Sequence, residues 1–151
     1  MALEFSTAGV LLKYAVETTA GTKPSSFTTI NGIKSIPDFN PTPSNLDCTD
    51  LSDTQYKRSI PGLQDPGGAL AFKANLTAAF ETAWGALVTA SETAKGDGKA
   101  TWFEVYVPGF KGFYFTGIPS ALGMPAMEVD SVIEIDAYIT PNTIGGWDTL
   151  V

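Results

Sequence analysis

The stretch Ala69–Ser91, ALAFKANLTAAFETAWGALVTAS, changes its hydrophobic period from two to about 3.6, which predicts a strand followed by a helix. Through Ala69–Asn75 the large residues Leu70 and Phe72 alternate with smaller or polar ones, as on a strand buried on one side. Thr77 can cap a helix that runs to about residue 91. Inside this helix the large apolar residues fall on one stripe that is typical of a core contact: Phe80, Trp84, Leu87 and Val88.

Strands are predicted on both sides of this unit. Ala8–Glu17 and Ile30–Ile36 precede it, and Thr101–Val107 and Gly112–Gly117 follow it as a hairpin. Met127–Ile139 is predicted to be one long strand. The predicted fold class is therefore α+β, a mostly antiparallel β-sandwich or barrel-like subunit with one packed α-helix, a long flap loop and terminal arms.

The apolar faces of the helix and of the adjoining strands predict the core. Its expected members are Leu70, Phe72, Phe80, Trp84, Leu87, Phe103, Val105, Val129, Ile133 and Ile135.

A chain of 151 residues suits one domain with a hydrophobic core, so residues 1–151 are predicted to form a single domain. Pro37–Gly68 is predicted to be a long flap, and Pro141–Val151 a C-terminal arm. The flap carries large apolar side chains that a solvated linker would not need. It either folds onto its own domain or docks on another subunit through Leu46, Leu51, Tyr56, Ile60 and Leu63.

The composition argues against most kinds of catalytic and binding site. The chain has no His, the commonest general base and metal ligand, so Ser-His and Cys-His nucleophile pairs are excluded. With a net charge of −7, the chain is a poor candidate for binding the phosphate backbone of nucleic acid. Cys48 is the only cysteine, so no intrachain disulfide can form. The start lacks the basic region of a signal peptide, and no apolar run is long enough to span a membrane.

Three motifs could suggest a site, but none of them fits one well. The glycine pairs do not have the spacing of a phosphate-binding loop. Asp47, Asp50 and Asp53 are spaced wrongly for a calcium loop of the EF-hand type. The carboxylate pairs of Met127–Ile139 could serve a glycosidase, but four acids in one row exceed its need. We therefore expect no enzyme, no cofactor and no metal, and keep an acid-only hydrolase as the weakest alternative.

The predicted strand Met127–Ile139 has one apolar face and one acidic face. The acidic face carries four carboxylates, and no Lys or Arg follows Lys111 in the chain. Because the apolar face must meet the core, the acidic face must meet water. The four carboxylates are those of Glu128, Asp130, Glu134 and Asp136.

Taken together and in order, five segments resemble the major tail tube proteins of siphophages of Gram-positive hosts. Each fragment alone is a weak signal, whereas the ordered set is fairly specific. The segments are AGVLLKYAVETTAGTKP (8–24), IKSIPDFNPTP (33–43), LDCTDLSDTQY (46–56), IPGLQDPGGAL (60–70) and EVYVPGFKGFYFTGIPSALGMPAMEVDSVIEIDAYITP (104–141).

The resemblance implies a β-sandwich-like subunit with one helix, similar in fold to the tube proteins of type VI secretion. Six such subunits close a ring, and rings stack into a hollow tube around a tape measure protein. DNA later passes through without specific binding. The family further implies a place in the virion after synthesis in the host cytoplasm, and contacts with tail terminator and distal tail proteins. It implies no catalytic residues.

Two site expectations follow from the resemblance. The flap side chains Leu46, Leu51, Tyr56, Ile60 and Leu63 are expected to contact a neighbouring ring. Glu128, Asp130, Glu134 and Asp136 are expected to line the lumen and repel DNA, with plain surface solubility as the alternative. Lys73, on the polar face of its own strand, is the cation placed to neutralise part of that wall.

Two other functions stay open from the sequence. One is a non-catalytic β-rich binding module, and the other is the tube subunit of a phage-tail-like bacteriocin or secretion particle.

Overall fold

The strands and the helix follow one another in the order expected for an α+β chain. The computed structural model describes residues 4–151, so residues 1–3 of the predicted single domain lie outside the described part. No helix between residues 4 and 151 is long and apolar enough to cross a membrane. The elements are β1 (Leu11–Val16), β2 (Thr28–Ile30), β3 (Ile33–Ser35), β4 (Asn45–Asp47), β5 (Ser59–Pro61), β6 (Leu70–Asn75), α1 (Ala78–Gly96), β7 (Thr101–Tyr106), β8 (Gly112–Pro119) and β9 (Glu134–Asp148).

Seven of the strands form one antiparallel sheet in the order β2-β1-β7-β8-β9-β6-β3, while β4 and β5 pair separately. The two edge strands, β2 and β3, are consecutive in the chain and are joined by Asn31-Gly32 alone. A sheet whose edges are joined by two residues must curl until the edges approach each other. The α+β, barrel-like fold class with a single helix is confirmed.

The predicted strand Ile30–Ile36 is two strands, each at a different edge. Ile30 pairs with Leu12 of β1, whereas Ile33 pairs with Ala74 of β6. Between them Gly32 adopts a φ of +95°, in the left-handed region that glycine enters without strain. The sequence carried a signal for this break that the prediction did not use, because Asn31-Gly32 is a dipeptide typical of tight turns.

The core lies between the concave face of the sheet and α1. Its aromatic residues pack in pairs: the rings of Phe103 and Phe115 stack at 5.4 Å, and those of Phe80 and Trp84 at 5.9 Å. Seven of the ten predicted core residues are buried, and Val105 is partly buried against them. The seven are Leu70, Phe72, Phe80, Trp84, Leu87, Phe103 and Ile135.

Two predicted core residues are exposed: Val129 is 97% exposed and Ile133 is 42% exposed. Their prediction was wrong because Met127–Ile133 is not part of a strand. The inner face is completed instead by residues of β1, β2, β8 and β9 that were not predicted as core, including Leu12, Ile30, Phe115, Ala137 and Ile139.

Helix α1 begins where its cap predicts and ends later. The Thr77 hydroxyl accepts a hydrogen bond from the Phe80 amide at 3.1 Å, the arrangement of an N-cap. The helix continues past residue 91 to Gly96, because Ser91 and Ala94 extend the buried stripe. The Trp84 indole N–H donates to the Ser120 carbonyl oxygen at 2.8 Å, which fixes the chain leaving β8 against the helix.

The segment predicted as a C-terminal arm, 141–151, instead continues the sheet. Strand β9 extends to Asp148 and pairs with β8 through two register shifts. The Gly and Pro residues that suggested turns lie in this bent strand, and Gly146 has a φ of +78°. Beyond the strand, the Tyr114 hydroxyl donates to the Thr149 carbonyl at 2.6 Å.

The buried carboxylate of Glu17 joins the end of β1 to the start of β7. It accepts hydrogen bonds from the Ala100 amide at 2.7 Å, the Gly21 amide at 3.2 Å and the Trp102 indole at 3.0 Å. Burial raises the pKa of Glu17, but these hydrogen bonds favour the ionised form and leave the pKa below its ordinary value of 4.5.

Replacing Trp84 with alanine is expected to destabilise the subunit by about 3–5 kcal/mol, since the fully buried indole would leave a cavity and an unpaired carbonyl. Urea unfolding followed by circular dichroism measures the loss. Val129→Ala is the control, because its exposed side chain should change stability by no more than about 0.5 kcal/mol. Equal effects of the two substitutions would contradict this placement of the core.

Glu17→Gln is expected to destabilise the protein at pH 7 by about 1–3 kcal/mol, because it removes charge-assisted hydrogen bonds. A carboxyl group whose pKa is lowered by folding stabilises the fold above its unfolded pKa of 4.5, and this contribution is lost as the pH falls through the folded pKa. The difference in the free energy of unfolding between wild type and variant should therefore become smaller in acid. Urea unfolding at pH 7 and below pH 4 measures this difference, and Glu92→Gln, at an exposed position, is the control. A difference that does not change with pH would show that the Glu17 carboxylate does not stabilise the fold in its ionised form.

Candidate assembly surfaces

The four predicted lumen acids do not share a strand. Strand β9 begins at Glu134, so Glu134 and Asp136 lie on its outer face while Ile135 and Ala137 are buried beneath. Glu128 and Asp130 lie in the preceding loop. The sequence of residues 127–133 alternates as a strand does, but a strand there would need a neighbouring strand to pair with. The predicted row of four carboxylates is corrected to one pair on a strand and one pair on a loop.

The partner is missing because β6 is short. The last residue pair of the β6–β9 ladder is Asn75 with Glu134. One further hydrogen bond joins the Leu76 amide to the Ile133 carbonyl at 3.0 Å. At Thr77 the chain turns into α1, so nothing extends the ladder along residues 127–132. Asp130 then adopts a φ of +61°, which is turn geometry for a residue other than glycine.

Cations face the two carboxylates at the start of β9, those of Glu134 and Asp136. Lys34 of β3 forms an ion pair and a hydrogen bond with Glu134, and these lower the pKa of Glu134. Lys73 of β6 lies directly opposite Asp136 in the ladder. The outer face of β3, β6 and β9 therefore carries mixed charge. Lys73 was foreseen as a neutralising residue, whereas Lys34 was not, because β3 and β9 approach each other only in the folded sheet.

The flap, 37–68, stands apart from the seven-stranded sheet. Its strands β4 and β5 pair only with each other, and all six of their residues are exposed. The five apolar side chains singled out in the sequence do not fold onto the domain. All five are exposed: Leu46, Leu51, Tyr56, Ile60 and Leu63.

Arg58 clamps the tip of the flap. Its guanidinium donates to the carboxylate of Asp53 at 2.8 Å and to that of Asp50 at 3.1 Å. The Arg58 carbonyl accepts from the Cys48 amide at 3.0 Å and so extends the β4–β5 hairpin. Backbone and side-chain hydrogen bonds, the latter from Arg58, lower the pKa of Asp53. The tip is thus a small hairpin held by local polar contacts.

The flap is anchored at its start. The ring of Phe39 packs against Phe113 at 5.8 Å and against Phe115 at 5.3 Å, which brings it to the edge of the core. Beyond β5, Gly62–Gly68 forms no regular structure. The flap therefore consists of a hairpin on irregular stems.

A further exposed surface was missed by the sequence analysis. The loop between β8 and β9 runs from Ser120 to Ile133 and presents large apolar side chains to solvent. The Pro/Gly-rich residues 118–125 were predicted to be a connection, but residues 127–133 alternate as a strand does, so no local signal marked their apolar side chains as exposed. The exposed fractions are 87% for Met124, 59% for Met127, 97% for Val129 and 71% for Val132.

No family model matches the chain, and no curated protein matches it. Solved structures share its fold. A chain of the anti-feeding prophage baseplate superposes with a TM-score of 0.63 at 8% identity over 95% of both chains. A chain of the native gene transfer agent virion gives 0.59 at 13% identity, over 97% of this chain and 100% of that one. A chain from the tail of the empty gene transfer agent particle gives 0.55 at 15% identity, over 94% and 96%.

Arg58→Ala is expected to loosen the flap tip without affecting the body. An isolated two-stranded hairpin is marginal in water, so loss of the clamp should speed amide exchange at Cys48 severalfold. Hydrogen exchange with mass spectrometry, comparing flap peptides with β7–β8 peptides, measures it. Lys57→Ala is the control, because Lys57 makes no ion pair within residues 4–151. Equal exchange in both variants would show that Arg58 does not hold the tip.

Proposed function

We propose that this protein is a structural subunit of a phage-type tail tube. The observation that carries the proposal is the likeness of fold, over nearly the whole of both chains, to chains in the gene transfer agent virion and in the tail of that particle, the latter computed with sixfold symmetry. The ordered resemblance of the sequence to siphophage tail tube proteins points in the same direction. Six copies would close a ring, and rings would stack into a hollow tube.

The exposed flap supports this proposal. A monomer that functions alone rarely exposes so many large apolar side chains on one segment, and such surfaces mark interaction sites. In a tube, Leu46, Leu51, Tyr56, Ile60 and Leu63 would be buried against a neighbouring ring. The hairpin form limits the entropy that the flap loses when it docks.

We assign the outer face of β3, β6 and β9 to the bore. Of the four acids first expected there, Glu134 and Asp136 remain in the proposal, because they share a strand face, whereas Glu128 and Asp130 do not. With Lys34 and Lys73 beside them, this face would neither hold nor strongly repel passing DNA. DNA would then slide through without specific binding.

The remaining partners and the location follow from this role. The tube would enclose a tape measure protein and end on tail terminator and distal tail proteins. The subunit would be made in the host cytoplasm and carried in the virion. A siphophage of a Gram-positive host is proposed from the resemblance of the sequence.

The likeness of fold to chains of the anti-feeding prophage favours a second candidate function. Chains of its baseplate and of its tube-terminating cap share the fold, with TM-scores of 0.63 and 0.57. The protein would then build the tube, or an end of the tube, of a phage-tail-like particle that is not a siphophage.

The purified protein is expected to form rings or tubes roughly a hundred ångströms wide, as six domains of this length require. Negative-stain electron microscopy and light scattering at rising concentration measure this. A helical reconstruction of the tubes would place Glu134 and Asp136 at the bore. A monomer of 15.9 kDa at every concentration would favour a binding module instead, and tubes with these carboxylates outside would overturn only the assignment of the bore.

A further inference from the structure

A carboxyl group is buried on the outer face of the sheet, where side chains ordinarily meet water. In β7 the side chains of Phe103 and Val105 pack on the core, so Glu104 between them points to the opposite face. Glu104 is nevertheless fully buried. Its cross-strand neighbours on this face are Lys13 of β1 and Tyr114 of β8. A segment outside the sheet must therefore cover Glu104.

The cover is the segment 149–151, which we call the strap. The Thr149 carbonyl oxygen lies 2.6 Å from the Tyr114 hydroxyl oxygen. The Val151 amide donates to Oε2 of Glu104 at 3.3 Å. The strap thus crosses the outer face of β7 and β8, and it is held there by hydrogen bonds to Glu104 and Tyr114.

The hydrogen bonds of Tyr114 show where a proton must lie. Its hydroxyl oxygen is 2.6 Å from Oε2 of Glu104 and 2.6 Å from the Thr149 carbonyl oxygen, and both are hydrogen-bond distances. A tyrosine hydroxyl has one hydrogen to donate, and a carbonyl oxygen can only accept. If Tyr114 donates to Thr149, the hydrogen of the other contact comes from a protonated Glu104. With Glu104 ionised, one of the two contacts would hold two oxygens at 2.6 Å with no hydrogen between them.

The surroundings of Glu104 also favour the neutral form. Its second oxygen, Oε1, is buried and has no hydrogen-bond partner within residues 4–151. No Lys or Arg of that range forms an ion pair with Glu104. Burying an unpaired carboxylate costs far more free energy than burying an unpaired neutral oxygen.

The other charged and titratable groups around this cluster have partners of their own. Lys13 lies over the ring of Tyr106 at 4.1 Å. Lys23 lies over the ring of Tyr114 at 4.0 Å and pairs with Asp148 at 2.8 Å. Burial raises the pKa of Tyr114 above its ordinary value of 10, so its hydroxyl keeps its hydrogen at neutral pH. The groups that face the cluster are Lys13 of β1, Lys23 of the β1–β2 loop, Tyr106 of β7, Lys111 of the β7–β8 turn, Tyr114 of β8 and Asp148 of β9.

We propose that a proton on Glu104 holds the strap closed. In the closed form Glu104 donates to Tyr114, and Tyr114 donates to the Thr149 carbonyl. When the strap lifts, Glu104 meets water and passes its proton to it, because an exposed glutamate is ionised at neutral pH. Opening therefore releases one proton, so the closed form is favoured at low pH and is lost as the pH rises. This control of the strap does not depend on the tube function proposed above.

Infrared spectroscopy tests for the proton. At pH 7 the wild type should show the C=O stretching band of a protonated carboxylic acid, because exposed carboxylates and the hydrogen-bonded Glu17 are ionised. Glu104→Gln, a neutral side chain of the same shape, should remove this band. Tyr114→Phe, which removes the acceptor of the proton, should shift the band. Glu92→Gln, at an exposed position, is the control and should leave it unchanged.

Hydrogen exchange with mass spectrometry follows the strap. After correction for the pH dependence of the exchange chemistry, the protection of the amides of residues 149–151 should fall as the pH rises. The fall should be at most about tenfold for each pH unit, because one proton is released on opening. In Glu104→Gln the protection should not change with pH, whereas in Glu92→Gln it should fall as in the wild type.

Three results would overturn the proposal. The first is a folded wild type without the band at pH 7, and the second is a band that survives Glu104→Gln. The third is protection of the strap that is independent of pH in the wild type, or that falls equally in Glu104→Gln. Thermal melting shows whether each variant is folded, and if Glu104→Gln is not, the shift of the band in Tyr114→Phe identifies the protonated group.

Discussion

The fold depends on one constraint: a seven-stranded sheet whose two edge strands are joined by a turn of two residues. Ile30 pairs at one edge and Ile33 at the other, so the strands between them must curl until the edges approach. Curling creates the concave face on which Phe103 and Phe115 stack, and α1 fills the remaining space with Phe80 and Trp84. The surface left for contacts with other molecules consists of the convex face of the sheet, the outward face of α1, the two ends and the flap.

The local periods in the sequence located most of the elements because they depend on near neighbours in the chain. The cap at Thr77, the stripe of α1 and the β7–β8 hairpin are examples. The segment Met127–Ile133 alternates as well as any true strand, yet it forms a loop. A strand needs a partner, and β6 ends at Asn75 because the next residues start the helix. The length of a partner strand is not encoded in the pattern of the segment that would pair with it.

The candidate surfaces were predictable to different degrees for the same reason. The five apolar residues of the flap could be located from composition, since they sit among prolines and aspartates in one segment. The hydrogen bonds from Arg58 to Asp53 and Asp50 depend on a hairpin that no local sequence pattern predicted. Lys73 could be placed on the polar face of its own strand from the sequence, and it lies opposite Asp136. Lys34 comes from β3, which is distant in the chain from β9, so its ion pair with Glu134 was not predicted.

Charge also limits how copies of this chain can associate. A net charge of −7 repels like copies at long range, and screening reduces this repulsion beyond about 8–10 Å at physiological salt. Close contacts can offset this repulsion by burying apolar side chains or by bringing unlike charges together. Several cations are already used within the subunit: Lys23, Lys34 and Arg58 are in ion pairs, and Lys13 lies over the ring of Tyr106. The cations that remain are Lys57, Lys73, Lys95, Lys99 and Lys111, none of which forms an ion pair within residues 4–151. A contact that pairs unlike charges between two copies has to draw on these five.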